Sequence, residues 1–195
     1  MNKGIISIKD FKRAEIPWLD MGLKIIVIEG YGGFRIDSLS KKLGISRTSF
    51  YHLFKSKQNY FYRLCEYWAY SGTYKYIENL KSIQDPADKL IQMIQMISID
   101  QIELLAWISL RHLGKENNEV QEIISAVELA RIRFVSGILA ELGFPPDKAK
   151  IKARVLMFYI SGWLILKRLE RVENKISRDD IVELLSSIDI NVNHS

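Results

Sequence analysis

A chain of 195 residues with 48% hydrophobic, 11% aromatic and 26% charged residues is long enough to bury one large core or two small ones, which excludes intrinsic disorder as its main state. The net charge of +5 is concentrated: residues 1–60 hold eleven bases against five acids, and the remaining 135 residues hold 17 bases against 18 acids. A polyanionic partner, nucleic acid or anionic membrane, is therefore indicated for the first third alone, with an ordinary solvated basic face as the alternative.

Periodicity of three to four residues dominates the chain and period-two alternation is scarce, so the expected fold class is all-α. The first helix begins near Ile16-Pro17, with Leu19, Leu23, Ile26 and Val27 inward, and stops at Gly30 before the turn Tyr31-Gly32-Gly33. A short second helix carries Ile36, Leu39 and Leu43 and ends at Gly44. Ser46 caps a third, Arg47–Phe54, and Ser56 caps a long fourth that runs towards Leu80. Gln84-Asp85-Pro86 is the expected seam, with Pro86 in the first turn of a fifth helix bearing Leu90, Ile94 and Ile97. Further helices are expected over Gln101–Leu113, Asn117–Leu142, Asp147–Val172 and Ser177–Ile188, broken at Gly114, Gly143-Phe144-Pro145-Pro146 and Asn174-Lys175.

Ile36–Phe54 has the arrangement of a helix-turn-helix. Two short helices flank Leu43-Gly44-Ile45-Ser46, and Leu39, Leu43, Ile45, Phe50 and Leu53 can meet between them. Arg47, Thr48, Ser49, Tyr51, His52 and Lys55 remain on the outside of the second short helix. Each can donate to phosphate or to a base edge, and a helix of this size fits the major groove of DNA.

These residues resemble a known family. Gly30-Tyr31, then Ile36–Lys57, and above all Phe50-Tyr51-His52-Leu53-Phe54 with Ser56-Lys57, look like the DNA-binding signature of TetR/AcrR-type bacterial transcriptional regulators. Trp18-Leu19, Gly22-Leu23 and Ile26-Val27 fit the pattern of the family's first helix, and the close resemblance covers residues 16–62. It implies an N-terminal three-helix bundle over residues 1–60, joined by a long helix to a larger helical ligand-binding and dimerisation domain over 61–195. It implies that Arg47, Thr48 and His52 face base edges and that Ser49, Tyr51 and Lys57 hold phosphates, Lys57 from the positive end of the fourth helix. One departure stands out. Where the family usually has a capping Thr or Ser, this chain has Phe34-Arg35: either Arg35 replaces the hydroxyl with a charge-assisted contact, or Phe34 is a core residue with no part in DNA binding. Ser40 also replaces the more usual Ala.

In the C-terminal part, Val155–Leu166 is apolar all round its helix apart from Ser161-Gly162. Such a helix must be covered on every side, by a second chain or as the central helix of one subunit. The resemblance implies a homodimer through the last two long helices, and hence a near-palindromic double-stranded DNA operator. Met93, Met96, Trp107, Phe134, Met157, Tyr159 and Trp163, with Arg111 and His112 as polar handles, are candidates to line a pocket for a small-molecule effector; side chains of this kind also build ordinary cores.

Other chemistry finds little footing. His52, His112 and His194 lie at no metal-ligand spacing, and the single cysteine, Cys65, excludes an internal disulfide and reads as a buried spacer. Gly30-Tyr31-Gly32-Gly33 lacks the Lys-Ser/Thr of a phosphate loop. No metal, cofactor or enzymatic activity is expected. Met1–Ile16 lacks the pattern of a secretory leader, and Val155–Leu166 has 12 residues where a bilayer span needs about 17–25, so a cytoplasmic chain with no membrane segment is expected. The functional expectation is a sequence-specific regulator, a repressor released by a small molecule. Its rivals are an interaction or scaffold protein whose basic helix pair docks an acidic partner or binds DNA non-specifically, and a small-molecule binder or enzyme that uses only the C-terminal module.

Overall fold

The computed structural model describes residues 6–99, 101–115, 117–169 and 176–192. Among them there is no strand; the chain is a succession of helices falling into two compact units. The first unit is drawn from Met1–Lys75 and Ile102–Val127, the second from Tyr76–Gln101 and Glu128–Ser195. Packing therefore groups residues differently from a single cut after residue 60.

In the first unit, α1 (Ile16–Gly33) carries Pro17 in its opening turn and buries Trp18, Leu19, Gly22, Leu23, Ile25 and Ile26. Gly30 breaks its helical path at φ 69°, ψ 173°, a conformation open to glycine because it has no Cβ. Next come α2 (Ile36–Leu43) and α3 (Arg47–Phe54), the bounds expected for both. Gly44 closes α2 in the left-handed conformation, φ 66°, and its N–H returns to the α2 carbonyls of Ser40 and Lys41. Leu39, Phe50 and Phe54 are fully buried, with Leu43, Ile45 and Leu53 packed against them, so the expected apolar set does meet. Ser40 is also buried, and its hydroxyl has no hydrogen-bond partner.

The fourth helix departs from expectation. It does not continue to Leu80 as one α-helix: α4 (Lys57–Ala69) gives way to a π turn at Tyr70–Tyr74, and α5 (Lys75–Leu80) follows. The N–H of Lys75 reaches the carbonyl of Tyr70, five residues back. The wider turn takes in one extra residue, which rotates the following helix by about 100° while keeping the backbone hydrogen-bonded. Small residues, Gly72 and Thr73, are the ones it buries.

Tyr60 of α4 is the hub of the core. Its ring stacks on Phe34 at 5.2 Å between centroids and meets Phe50 at 5.0 Å and Phe54 at 4.9 Å; its hydroxyl donates to the carbonyl of Trp18 in α1 at 2.9 Å. Further along α4, the Tyr67 hydroxyl donates to Asp20 at 2.8 Å. Burial pushes the Tyr60 phenol far above its ordinary value. Burial, then the hydrogen bond to Asp20, does the same for Tyr67. The folded chain keeps these protons where the unfolded chain gives them up. The contribution is thus complete below about pH 10 and is lost as pH rises beyond it. In urea titrations from pH 9 to 11.5, wild-type stability falls more steeply than that of Tyr67→Phe, which has no phenolic proton to lose at that position.

The α4 helix also clasps the segment before α1. Arg63 donates through Nη1 to Glu66 at 2.6 Å and through Nη2 to Glu15 and to the carbonyl of Asp10, each at 2.8 Å. Its guanidinium lies 4.7 Å from the ring of buried Phe11, which meets Tyr67 edge-on at 5.2 Å. The same core takes in Ala106, Leu110 and Leu113 of α7 (Gln101–Gly114), and Val120, Ile123, Ile124 and Val127 from the first half of α8 (Asn118–Glu141). Cys65 is buried there, as expected.

In the second unit, α6 (Pro86–Ile99) starts at Pro86 as expected, with Asp85 accepting from the N–H of Asp88 at 2.8 Å. The remaining helices are α5 from Tyr76 onward, the second half of α8, α9 (Pro146–Leu169) and α10 (Arg178–Ser187). Asn117 caps α8, accepting from the N–H groups of Glu119 and Val120. Ser177 caps α10, accepting from the N–H of Asp180 at 3.0 Å. The core here is Leu90, Ile91, Ile94, Val135, Ile138, Leu139, Leu156, Ile181 and Leu185. Arg178 ties α10 to Asp88 of α6 at 2.7 Å, and Lys89 of α6 reaches Glu141 of α8 at 2.9 Å. The expected break at Asn174-Lys175, the end of α9 at Val172, and His194 lie outside the described residues. Among the described residues, no helix is long and apolar enough to cross a membrane.

Candidate nucleic-acid interface

The geometry of the helix-turn-helix follows from local chemistry. Ser46 is extended, φ −67° and ψ 150°, and its hydroxyl oxygen accepts from the N–H of Ser49 at 3.3 Å, so α3 begins at Arg47. Phe50 and Phe54 then face the core. Arg47, Thr48, Tyr51 and His52 are exposed, Tyr51 by 41% with its ring edge-on to Phe50 at 5.4 Å. Ser49 is half-buried, its hydroxyl 3.1 Å from that of Ser46. Exposed Lys41 and Lys55 belong to the same motif, and Lys55 ends α3 with φ 64°.

Two further cations sit at the entrance to α4. Lys57 occupies its first position, after the cap Ser56. Its ammonium donates to the Phe34 carbonyl at 3.3 Å and lies 5.6 Å from the ring centroids of Phe34 and Phe61 and 5.9 Å from that of Tyr31. Arg35 donates from Nη1 to the same Phe34 carbonyl at 3.1 Å and to that of Gly32 at 2.7 Å. Two cations of neighbouring elements thus converge on one neutral acceptor. The alternatives left open at Phe34-Arg35 are narrowed here. Phe34 is fully buried and belongs to the core, while Arg35 is exposed at the N-cap of α2 without capping it through its side chain.

Acidic neighbours moderate the positive surface, a feature sequence reasoning missed. Asp37 in the first turn of α2 forms an ion pair with Arg47, 3.0 Å from Nε, and Glu29 of α1 pairs with Lys42 at 3.3 Å. Asp37 and Arg47 are ten residues apart on different helices, and the only sequence signal for the pair was opposite charge across the turn.

The candidate pocket residues divide between the units. Trp107, Arg111 and His112 belong to the first; Arg111 and His112 are exposed, and the Arg111 guanidinium lies 5.0 Å from the Trp107 ring. Met93, Met96, Phe134, Met157, Tyr159 and Trp163 belong to the second, where Met93 is buried, Tyr159 exposed and the others half-buried. The α9 helix has two apolar sides. Ala149, Ala153, Leu156 and Ile160 are buried, whereas Ile151, Val155, Phe158, Ile165 and Leu166 are exposed, Phe158 by 74%. It is therefore not a central helix covered all round by its own unit. Ile151, Val155, Phe158, Gly162 and Ile165 follow helical spacing along one stripe.

No protein-family model matches the sequence, and no curated protein sequence matches it. Solved structures do. A TetR transcriptional regulator from Legionella pneumophila superposes with a TM-score of 0.75 at 13% identity, covering 92% of this chain and 97% of its own. A TetR-family transcriptional regulator from Agrobacterium tumefaciens gives 0.69 at 17% identity, with 90% and 96% covered. The transcriptional regulator FadR from Bacillus subtilis, in complex with stearoyl-CoA, gives 0.66 at 17% identity, with 92% and 99% covered. Over nearly its whole length, this chain has the all-helical fold of TetR-family transcriptional regulators.

Proposed function

We propose that this chain is a sequence-specific DNA-binding transcriptional regulator, a homodimeric repressor whose operator affinity falls when a small molecule binds. The observation that carries the reading is the outward face of α3: a helix of eight residues, capped at Ser46, that offers Arg47, Thr48, Tyr51 and His52 to solvent beside an excess of lysine and arginine. Arg47, Thr48 and His52 read base edges; Ser49 and Tyr51 hold phosphates. Lys57 and Arg35, which now donate to neutral carbonyls, exchange those acceptors for phosphate oxygens, a stronger charge-assisted bond.

The exposed apolar stripe of α9 is covered by a second copy of the chain, so that two α3 helices address a near-palindromic site. Phe158→Asp places a charge in that seam. It is expected to convert a dimer into a monomer in sedimentation equilibrium and to weaken operator binding; an unchanged mass would remove the dimer. The effector site draws on Met93, Met96, Phe134, Tyr159 and Trp163 of the second unit. FadR crystallised with stearoyl-CoA supports a ligand-holding role for this fold. An effector that lowers DNA affinity by some factor is itself bound more weakly to the DNA complex by the same factor.

Selection of a DNA site from a random pool by the full-length protein is the decisive test. The reading expects a symmetric footprint and affinity that falls steeply with salt. Lys57→Ala weakens selected and random DNA alike and lowers the salt slope by about two, one for each protomer; Tyr51→Ala weakens both and leaves the slope unchanged, because its phenol is neutral. Random DNA that competes as well as the selected site overturns the reading in favour of a non-specific binder.

A further inference from the structure

We propose that Asp37 is a positioning residue that orients Arg47 to read a guanine. The inference rests on the reading of α3 as the base-reading helix and assigns one of its contacts a partner and a chemistry. Arg47 stands at the first position of α3, the end nearest the bases when such a helix enters the major groove. The Asp37 carboxylate forms an ion pair with Arg47, 3.0 Å from Nε, and both side chains are more than half exposed. A guanidinium is a flat fork with five N–H donors in fixed directions. An anion held beside Nε leaves the two terminal nitrogens free to donate and biases the direction in which the plane that carries them extends. A pair of parallel N–H donors matches the O6 and N7 acceptors of guanine, whereas adenine presents a donor in place of one acceptor.

Charge alone argues against the alternative that Asp37 serves DNA binding by its own contact. A carboxylate among Arg35, Lys41, Lys42 and Arg47 repels phosphate and has no donor to offer it. Exposed pairs of this kind add little to folding, so variants at Asp37 report on recognition rather than on stability.

The test uses the full-length protein and its selected duplex, with each G·C pair replaced in turn by A·T. The informative pair is the one at which wild type discriminates and Arg47→Ala does not. There, wild type is expected to prefer G·C by about tenfold or more. Asp37→Ala, which lacks the anion, brings the preference to within about twofold, and Asp37→Asn, which keeps the shape and a carbonyl oxygen but not the charge, falls between. Preferences at other pairs stay unchanged, and affinity for random DNA rises with the loss of a negative charge. A tenfold G·C preference retained by Asp37→Ala overturns the proposal and leaves Asp37 a mere counter-charge; so does the absence of any pair whose discrimination depends on Arg47. Failure of the wild type to enrich any site overturns the DNA-reading function itself and is recognised before the Asp37 variants are compared.

Discussion

Replacing Arg63 by Met is expected to cost about 3–5 kcal/mol of stability, the range for breaking a buried ion pair from one side. Glu15 and Glu66 are among the few buried charged residues, and the Arg63 guanidinium is bonded to both carboxylates as well as to the Asp10 carbonyl. Methionine keeps much of the aliphatic stem but supplies no donor and no cation over the Phe11 ring, so the Glu15 and Glu66 carboxylates lose the Arg63 charge in a poorly solvated place. The urea midpoint, read from the fluorescence of buried Trp18 and Trp68, measures the loss. Adding Glu15→Gln and Glu66→Gln to Arg63→Met is expected to recover a good part of it, because neutral amides are less costly to bury. Equal stability of the single and triple variants would show that the clasp acts by packing alone. Loss of the Asp10 contact also predicts faster amide exchange over residues 7–15, where the backbone is otherwise held by Lys12 N–H donating to Glu15 at 3.0 Å and Ser7 N–H to Asp10 at 2.6 Å.

Gly22→Ala is the second large effect, at about 3 kcal/mol, the upper end for overpacking a core. A methyl group built on Gly22 would overlap the Tyr60 hydroxyl oxygen and stand 3.0 Å from the ring carbon that bears it. Tyr60 has nowhere to retreat, being wedged among Phe34, Phe50, Phe54 and Phe61. The usual gain from Ala over Gly in a helix, about 1 kcal/mol, is far too small to offset the clash. Tyr60→Phe removes the clashing oxygen, and its own cost is the hydrogen bond to Trp18, about 1 kcal/mol. The double variant Gly22→Ala/Tyr60→Phe is thus expected to be more stable than Gly22→Ala alone, a coupling that a double-mutant cycle in urea reads directly. Additive losses would place the effect of Gly22 somewhere other than against Tyr60.

Gly22 and Tyr60 also mark where sequence reasoning stops. The bounds of α2 and α3 were legible because their signals are local: Gly44 supplies a left-handed stop, and Ser46 and Ser56 supply oxygens for N–H groups three residues on. The outward set Arg47, Thr48, Tyr51 and His52 followed from those bounds and from which residues are apolar. The pairings of Arg63 with Glu15 and of Tyr67 with Asp20 join residues 48 and 47 positions apart, and neither leaves a trace in periodicity. The π turn at Tyr70–Tyr74 was hidden for a different reason: its residues continue a helical pattern, and one surplus residue changes no composition. The role of Phe34 stayed open in the sequence because a buried aromatic and a lost helix cap read alike until its neighbours Tyr60 and Phe61 are placed.

Lys57 shows what a cradle of rings does to a charge. With three ring centroids 5.6–5.9 Å from its ammonium, the side chain is drawn toward one place during folding, which lowers the ordering cost, about 0.5–1.5 kcal/mol for a free lysine, that an anion meets on arrival. Arginine at this position keeps the charge but replaces a compact sphere with a broad plate that cannot sit above all three faces at once. The lysine is thus gathered near its place by the rings while staying exposed to an incoming anion.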